Sequence, residues 1–180
     1  MDTGRLLRAL DFAATKHRDQ RRKDPAASPY INHPIAVATM LWTHGVRDET
    51  ALIAGILHDT VEDTATTRDE LVAAFGELVA AVVMEVTDDK ALPKQRRKEL
   101  QVEHAPHLSL AAQQVKLADK TCNVRDIIDT PPTDWPAERR QQYLVWAAQV
   151  VDGLRAASPA LAAAFDAQLG RAAQLARNAP

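Results

Sequence analysis

The sequence predicts an all-α protein, a helical bundle occupying the whole of residues 1–180. Three observations carry that prediction. Apolar residues recur at spacings of three and four along nearly every segment, and no run alternates apolar and polar residues as a half-buried strand would. The segments are separated by Pro, Gly, Ser and Asn positions of the kinds that start or stop helices. No internal repeat or low-complexity linker divides the chain, and its length falls in the range of about 100–200 residues expected of one domain.

The elements follow in order. A first helix is predicted from about Thr3 to Gln20, with Leu6, Leu10, Ala13 and Ala14 on one stripe. The stretch Arg21 to Asn32 holds Pro25, Ser28 and Pro29 and reads as a loop, with room for one short β-hairpin near Arg22 to Tyr30. Asn32-His33-Pro34 opens a second helix, with a capping residue and an early proline, that ends near Gly45. From about Glu49 to Asp59 the chain is apolar on all sides, so this helix belongs inside the bundle. Thr67 and Glu70 have capping-box spacing at the start of a short helix closed by Gly76, and another helix runs on to Glu85 or Val86. Pro93 to Glu103 is strongly charged. Ser109 caps a helix from Leu110 to Ile128, Pro131-Pro132 breaks the chain, and two last helices span Pro136 to Ala156 and Pro159 to Arg177.

Composition narrows the function classes. With 46% hydrophobic and 26% charged residues the chain is an ordinary globular protein and not a disordered one. Aromatic residues are only 4%, so Leu, Val, Ile and Ala fill the core. A net charge of −2 exerts no general pull on nucleic acid or anionic membrane, and neither is an expected partner. The longest strongly apolar run, Leu78 to Met84, is too short to span a bilayer core of about 30 Å. The lone Cys122 excludes an internal disulfide and fits a reducing compartment. With no signal pattern at the N-terminus, a cytoplasmic location is expected. No feature of the sequence sets an oligomeric state.

The chemistry is concentrated in Leu57-His58-Asp59-Thr60-Val61-Glu62-Asp63-Thr64. One imidazole and three carboxyl groups follow directly on the apolar stretch Ala51 to Leu57. Charge packed that densely at the end of a buried segment needs compensation, and a metal ion with an activated water supplies it economically. Adjacent residues on a helix point about 100° apart, so His58 and Asp59 reach one ion only from a helix end or a corner. Other ligands must come from elsewhere. His33 beside Pro34 is one candidate; Asp119, interrupting the apolar Val115 to Ala118 region, is another. The set His33, His58, Asp59 and Asp119 has nitrogen and oxygen donors and no thiolate, which favours six-coordinate Mn²⁺ or Fe²⁺ over Zn²⁺. Glu62 and Asp63, one turn after Asp59, are assigned to the water and its proton.

Plainer readings stand beside these. His33 alone is a helix-start residue, Asp119 pairs with Lys116 or Lys120, and Glu62-Asp63 forms a solvated turn. His17, His44, His104 and His107 have no comparable setting and are read as surface or core residues. The basic segments Lys16 to Lys23 and Lys94 to Lys98 are solvated helix faces taken singly. Beside a carboxylate-rich site, they point to an anionic substrate clamped against a metal. Only six glycines occur and none are clustered, so there is no Gly-rich phosphate loop.

His33, then His58-Asp59, then Asp119 matches the H…HD…D pattern of the HD-domain phosphohydrolase superfamily. Arg22-Lys23-Asp24, Pro29 to Pro34, Leu57 to Thr64, Val86 to Lys90 and Val115 to Lys120 resemble, in the same order, the hydrolase domain of the RelA/SpoT family. The likeness runs from about Leu10 to Leu154, and the chain resembles the small stand-alone alarmone hydrolases. The resemblance implies an all-helical, Mn²⁺-dependent enzyme that removes pyrophosphate from the 3′ position of guanosine tetra- and pentaphosphate. It implies that His33, His58, Asp59 and Asp119 hold the metal and that Glu62 and Asp63 are the catalytic acidic pair. By the same likeness Arg22, Lys23, Lys94, Asn123 and Tyr143 contact the nucleotide. Cys122 departs from the larger residue, commonly aromatic, that relatives carry there, which bears on base packing. Two alternatives stay open: the same site acting as an NADPH 2′-phosphatase or on other nucleotides, and a non-catalytic nucleotide-binding regulatory module.

Overall fold

The computed structural model describes residues 1–178, and the described chain is helical with no sheet. Ten α-helices follow one another: α1 (Thr3–Lys16), α2 (Asn32–Thr43), α3 (Glu49–Leu57), α4 (Thr60–Asp63), α5 (Arg68–Phe75), α6 (Glu77–Val86), α7 (Lys94–His104), α8 (Leu110–Asp129), α9 (Ala137–Asp152) and α10 (Pro159–Asn178). Single 3₁₀ turns at Ala105–His107 and Arg155–Ala157 finish α7 and lead into α10. No helix among the described residues is long and apolar enough to cross a membrane.

Helices α3 and α8 form the centre. Every residue of α3 from Ala51 to Leu57 is buried, as its all-round apolarity requires. It packs on α1, α2, α6 and α8. Helix α8 is buried without interruption from Val115 to Cys122 and packs on α2, α3, α6, α9 and α10. That stretch includes Lys116, Asp119 and Lys120, so the most interior helix carries charge into the core.

The expected boundaries need four corrections. Helix α1 ends at Lys16 and not Gln20; His17 caps it and its amide donates to the Ala13 carbonyl. Asn32 does not cap α2; it lies inside the helix, which starts from Ile31 without a side-chain cap. The apolar third helix stops at Leu57, and His58-Asp59 form a corner before the one-turn α4. Helix α9 stops at Asp152, short of Ala156. The hairpin reduces to one isolated bridge between Arg21 and Pro29, because Asp24 folds the loop by accepting from both the amide and the hydroxyl of Ser28. Ser109 does cap α8, and the Thr67 hydroxyl accepts from the Glu70 amide. The Glu70 carboxylate is turned to Lys16 at 2.7 Å.

The α2–α3 contact sets where the buried histidines lie. A Cβ built on Gly55 would sit 2.8 Å from Leu41 Cδ1 and 3.6 Å from Val37 Cγ1, so glycine permits this approach. The contact holds His33, near the start of α2, beside His58, at the end of α3, with ring centroids 5.2 Å apart. Gly55→Val should destabilise the fold by about 1–3 kcal/mol through overpacking. Adding Leu41→Ala, which makes room, should restore part of the loss; urea denaturation of both variants measures this.

Candidate active site

His58 caps α3, and its Nδ1 lies 2.9 Å from the Gly55 carbonyl. A carbonyl only accepts, so Nδ1 carries the proton and Nε2 is turned the other way. There Nε2 meets Asp59 Oδ2 at 3.1 Å and Asp119 Oδ1 at 3.8 Å. His33 Nε2 meets the same groups, Asp119 Oδ1 at 3.1 Å and Asp59 Oδ2 at 3.7 Å. One ligand atom each from His33, His58 and Asp119 lies within 4.8 Å of the other two, and all three residues are buried. Asp59, beside them, is half-buried. The break between α3 and α4 solves the problem of adjacency: Asp59 turns back from the corner instead of continuing the helix 100° away.

Secondary partners fix the carboxylates. The Tyr30 hydroxyl donates to Asp59 Oδ2 at 2.7 Å. Asn123, one turn after Asp119 on α8, donates from Nδ2 to Asp119 Oδ1 at 2.5 Å, and Lys120 Nζ donates to Asp119 Oδ2 at 3.0 Å. The Lys120 pairing is thus present alongside the histidine contact. Lys116 turns away, its Nζ donating to the Val86 carbonyl at 3.3 Å.

A cavity of about 170 Å³ opens onto these groups. Asp59, Glu62, Asp63, Asp88 and Asp119 line it, against only Lys116 and Lys120. Burial alone would lower the His58 pKa, but Asp59 and then Asp119 outweigh it and raise it to about 9. Burial raises Asp59 and Asp119 while neighbouring charges pull both well below the usual range: chiefly His58 for Asp59, Lys120 for Asp119. Two imidazole nitrogens and two carboxylates around one point are the donors a divalent cation accepts, and the cluster suggests such an ion.

Glu62 and Asp63 line the same cavity and differ in setting. Burial pushes the Glu62 pKa up, with Asp88, Asp59 and Asp63 adding to it, while its Oε2 accepts from the Asp88 amide at 3.2 Å. Asp63 has both oxygens occupied, Oδ1 by Lys90 at 2.5 Å and Oδ2 by Gln20 at 3.1 Å.

Two larger cavities flank the acidic one. The first, about 680 Å³, is lined by Arg22, Lys23, Asn123 and Tyr143 among others and shares His33 and Asp63 with the acidic cavity. Here Arg22 is tied to Asp126 at 2.8 Å and lies over the Tyr30 ring. The second, about 480 Å³, is lined by Lys94, Arg97, Lys98, Arg139 and Tyr143. Tyr143 stands between Trp135 and Trp146, and burial pushes its hydroxyl up to about 12. All eleven residues singled out in the sequence therefore line one of three adjoining cavities. Cys122 does not share that position: it is fully buried in the core, so its size bears on packing there.

Sequence reading named Lys120 only as a plain partner of Asp119 and missed Tyr30, Asp88 and Arg139. Tyr30 and Asp88 stand inside the blocks quoted above, and a search for a partner of the Asp59 carboxylate would have found Tyr30. Arg139 is half-buried on α9, over the Trp135 ring, and no local pattern marks it.

Residues 9–149 match the model of a family described as HD domain. A Homo sapiens relative named guanosine-3′,5′-bis(diphosphate) 3′-pyrophosphohydrolase MESH1 is 58% identical over 156 residues, covering 86% of this chain and 87% of its own. The Drosophila melanogaster protein of that name is 49% identical over 154 residues, covering 85% and 86%. A solved structure titled "A metazoan ortholog of SpoT hydrolyzes ppGpp and plays a role in starvation responses" superposes with a TM-score of 0.91. It shows 45% identity over 95% of this chain and 97% of that one. With so much of its length matched at such identity, the chain belongs to the HD-domain family, among the relatives named MESH1.

Proposed function

We propose that this chain is a Mn²⁺-dependent guanosine-3′,5′-bis(diphosphate) 3′-pyrophosphohydrolase, acting on guanosine tetra- and pentaphosphate and releasing pyrophosphate with GDP or GTP. The observation that carries it is the meeting of His33, His58, Asp59 and Asp119 in one acidic cavity between two cavities lined by basic residues. The names of the similar proteins supply the substrate. We read residues 1–180 as one hydrolase domain acting in the cytoplasm.

In this reading His33, His58, Asp59 and Asp119 hold the cation; two imidazole nitrogens and two carboxylates with no thiolate suit six-coordinate manganese or iron over zinc, and the likeness to the alarmone hydrolases selects manganese. The bound cation would polarise a phosphoryl oxygen and lower the pKa of a water. Arg22 and Lys23 on one side and Lys94 with Arg139 on the other hold the two anionic ends of the nucleotide, and Asn123 and Tyr143 line its path between them. Asp63, fixed by Lys90 and Gln20, orients the attacking water as a hydrogen-bond acceptor. Glu62, whose burial favours proton retention, receives and returns the proton. The water oxygen bonds to the 3′ phosphorus, the 3′ O–P bond breaks, pyrophosphate leaves, and the ribose oxygen takes a proton.

Pyrophosphate release from guanosine tetraphosphate should require added Mn²⁺ and stop on chelation. NADPH and deoxynucleotides assayed side by side should turn over more slowly; rapid NADPH turnover with an inert tetraphosphate would reverse the assignment. Glu62→Gln should lower kcat by about 10²–10⁴-fold, the range of a lost acid–base group, while nucleotide and metal still bind. Unchanged turnover would remove Glu62 from the reaction and leave room for a binding module.

Cation binding displaces the proton from His58, whose raised pKa keeps it charged at neutral pH. Calorimetry at pH 7.5 in buffers of different ionisation heat should therefore detect release of about one proton per Mn²⁺. Affinity should fall as pH falls. Asp119→Asn should bind Mn²⁺ at least about tenfold more weakly, with one anionic donor lost.

A further inference from the structure

Behind the acidic pair lies a buried histidine that the reaction described above leaves without a task. His17 caps α1 and is 2% exposed. Its Nδ1 is 2.7 Å from Gln20 Oε1. Gln20 Nε2 donates to Asp63 Oδ2 at 3.1 Å. On its other side the imidazole lies against the Tyr30 ring, with centroids 4.9 Å apart. The Tyr30 hydroxyl donates to Asp59 Oδ2. One buried ring thus touches the support of each of two carboxylates. The turn after α1 makes this arrangement, because the Gln20 amide donates to the His17 carbonyl and brings the two side chains onto one side.

The chemistry of these groups fixes the protons. Asp63, paired with Lys90, offers only acceptors. Gln20 must then turn its NH₂ toward Asp63, leaving its oxygen facing His17. His17 in turn must donate from Nδ1. A ring protonated on Nε2 alone would set two lone pairs against each other across 2.7 Å. The Gln20 amide would then flip and present its oxygen to the Asp63 carboxylate.

We propose that His17 is a positioning residue for the hydrolysis. Its Nδ1–H holds the Gln20 amide in the orientation that donates to Asp63, and its ring braces Tyr30 against Asp59. The inference rests on the hydrolase reading above and deepens it.

Substitutions separate hydrogen bonding from packing. His17→Phe keeps a ring against Tyr30 and removes the donor. His17→Asn loses the ring but keeps an N–H where Nδ1 stood. With Mn²⁺ and guanosine tetraphosphate, His17→Phe and Gln20→Leu should each lower kcat about 10–100-fold, the range for a support behind a site group, with little change in KM. The double variant should be no worse than Gln20→Leu, since both break one chain of contacts. His17→Asn should recover turnover severalfold over His17→Phe. A packing role alone predicts the opposite order, with His17→Phe benign and His17→Asn impaired, and that order would overturn the proposal. Nitrogen-15 NMR of the metal-free protein, with the His17 signal identified by its loss in His17→Asn, should show Nδ1 protonated. A bare Nδ1 would overturn it as well. Should the wild-type protein be inert toward guanosine tetraphosphate, the hydrolase reading fails, and the imidazole measurement still decides the state of His17.

Discussion

The structure depends on a deficit of positive charge at one buried corner. Asp59 and Asp119 face His33 and His58 where α2, α3 and α8 meet, and Glu62, Asp63 and Asp88 lie just outside. The buried lysines do not cancel this charge. Lys120 neutralises one oxygen of Asp119, while Lys116 is spent on a backbone carbonyl, and burial pulls it down to about 8. Buried charge of one sign is tolerated only when something of the other sign arrives. The raised pKa lets His58 supply one such charge as a proton, and a divalent cation in its place would supply two. The same imbalance therefore suits the corner to a divalent cation.

The bundle delivers the donors to that corner by ordinary packing. Gly55 serves twice: its missing side chain lets α2 approach α3, and its carbonyl fixes the proton on His58 Nδ1. The helix break at His58-Asp59 then lets neighbouring residues point at one place. Both carboxylates also have side-chain partners: Tyr30, from the loop before α2, for Asp59, and Asn123 and Lys120, on the same helix, for Asp119. These outer contacts restrict rotation of the carboxylates and so reduce the ordering needed when a cation binds.

The helices were legible in the sequence because each long segment carries its own apolar period, and caps such as Ser109 and Thr67 act within one turn. The candidate ligands were legible because charge beside Ala51–Leu57, or within Val115–Cys122, contradicts its local surroundings and so demands a partner. What escaped reading depends on contacts between distant segments. His17 looks like any polar residue at the end of an amphipathic helix; only the folded loop brings Tyr30 and Gln20 around it. Asn32 fits the chemistry of a cap, yet the chain enters α2 already helical at Ile31, so its side chain has no free amide to receive. The end of α3 was placed two residues late for a related reason: sequence periodicity does not register a corner whose purpose is to turn Asp59 back.

The positive cavity beside the acidic one has the mirror-image problem. Lys94, Arg97, Lys98 and Arg139 crowd one pocket. Burial lowers the Lys98 pKa, and Lys94, Arg139 and Lys120 lower it further. Trp146 relieves part of the repulsion, with its ring lying beneath both Lys98 and Lys120. Across the first cavity, by contrast, Asp126 already pairs with Arg22 and Arg125. An anion entering beside Lys98 therefore removes a repulsion, whereas one entering beside Arg22 must compete with Asp126. The positive and acidic cavities share Asp88 and Gln101, so the cation-seeking and anion-seeking pockets are neighbours. A ligand carrying phosphate groups at two ends, with a cation under one of them, satisfies both pockets at once. A ligand with a single phosphate leaves one of the two charge conflicts in place, and the difference favours the doubly charged one.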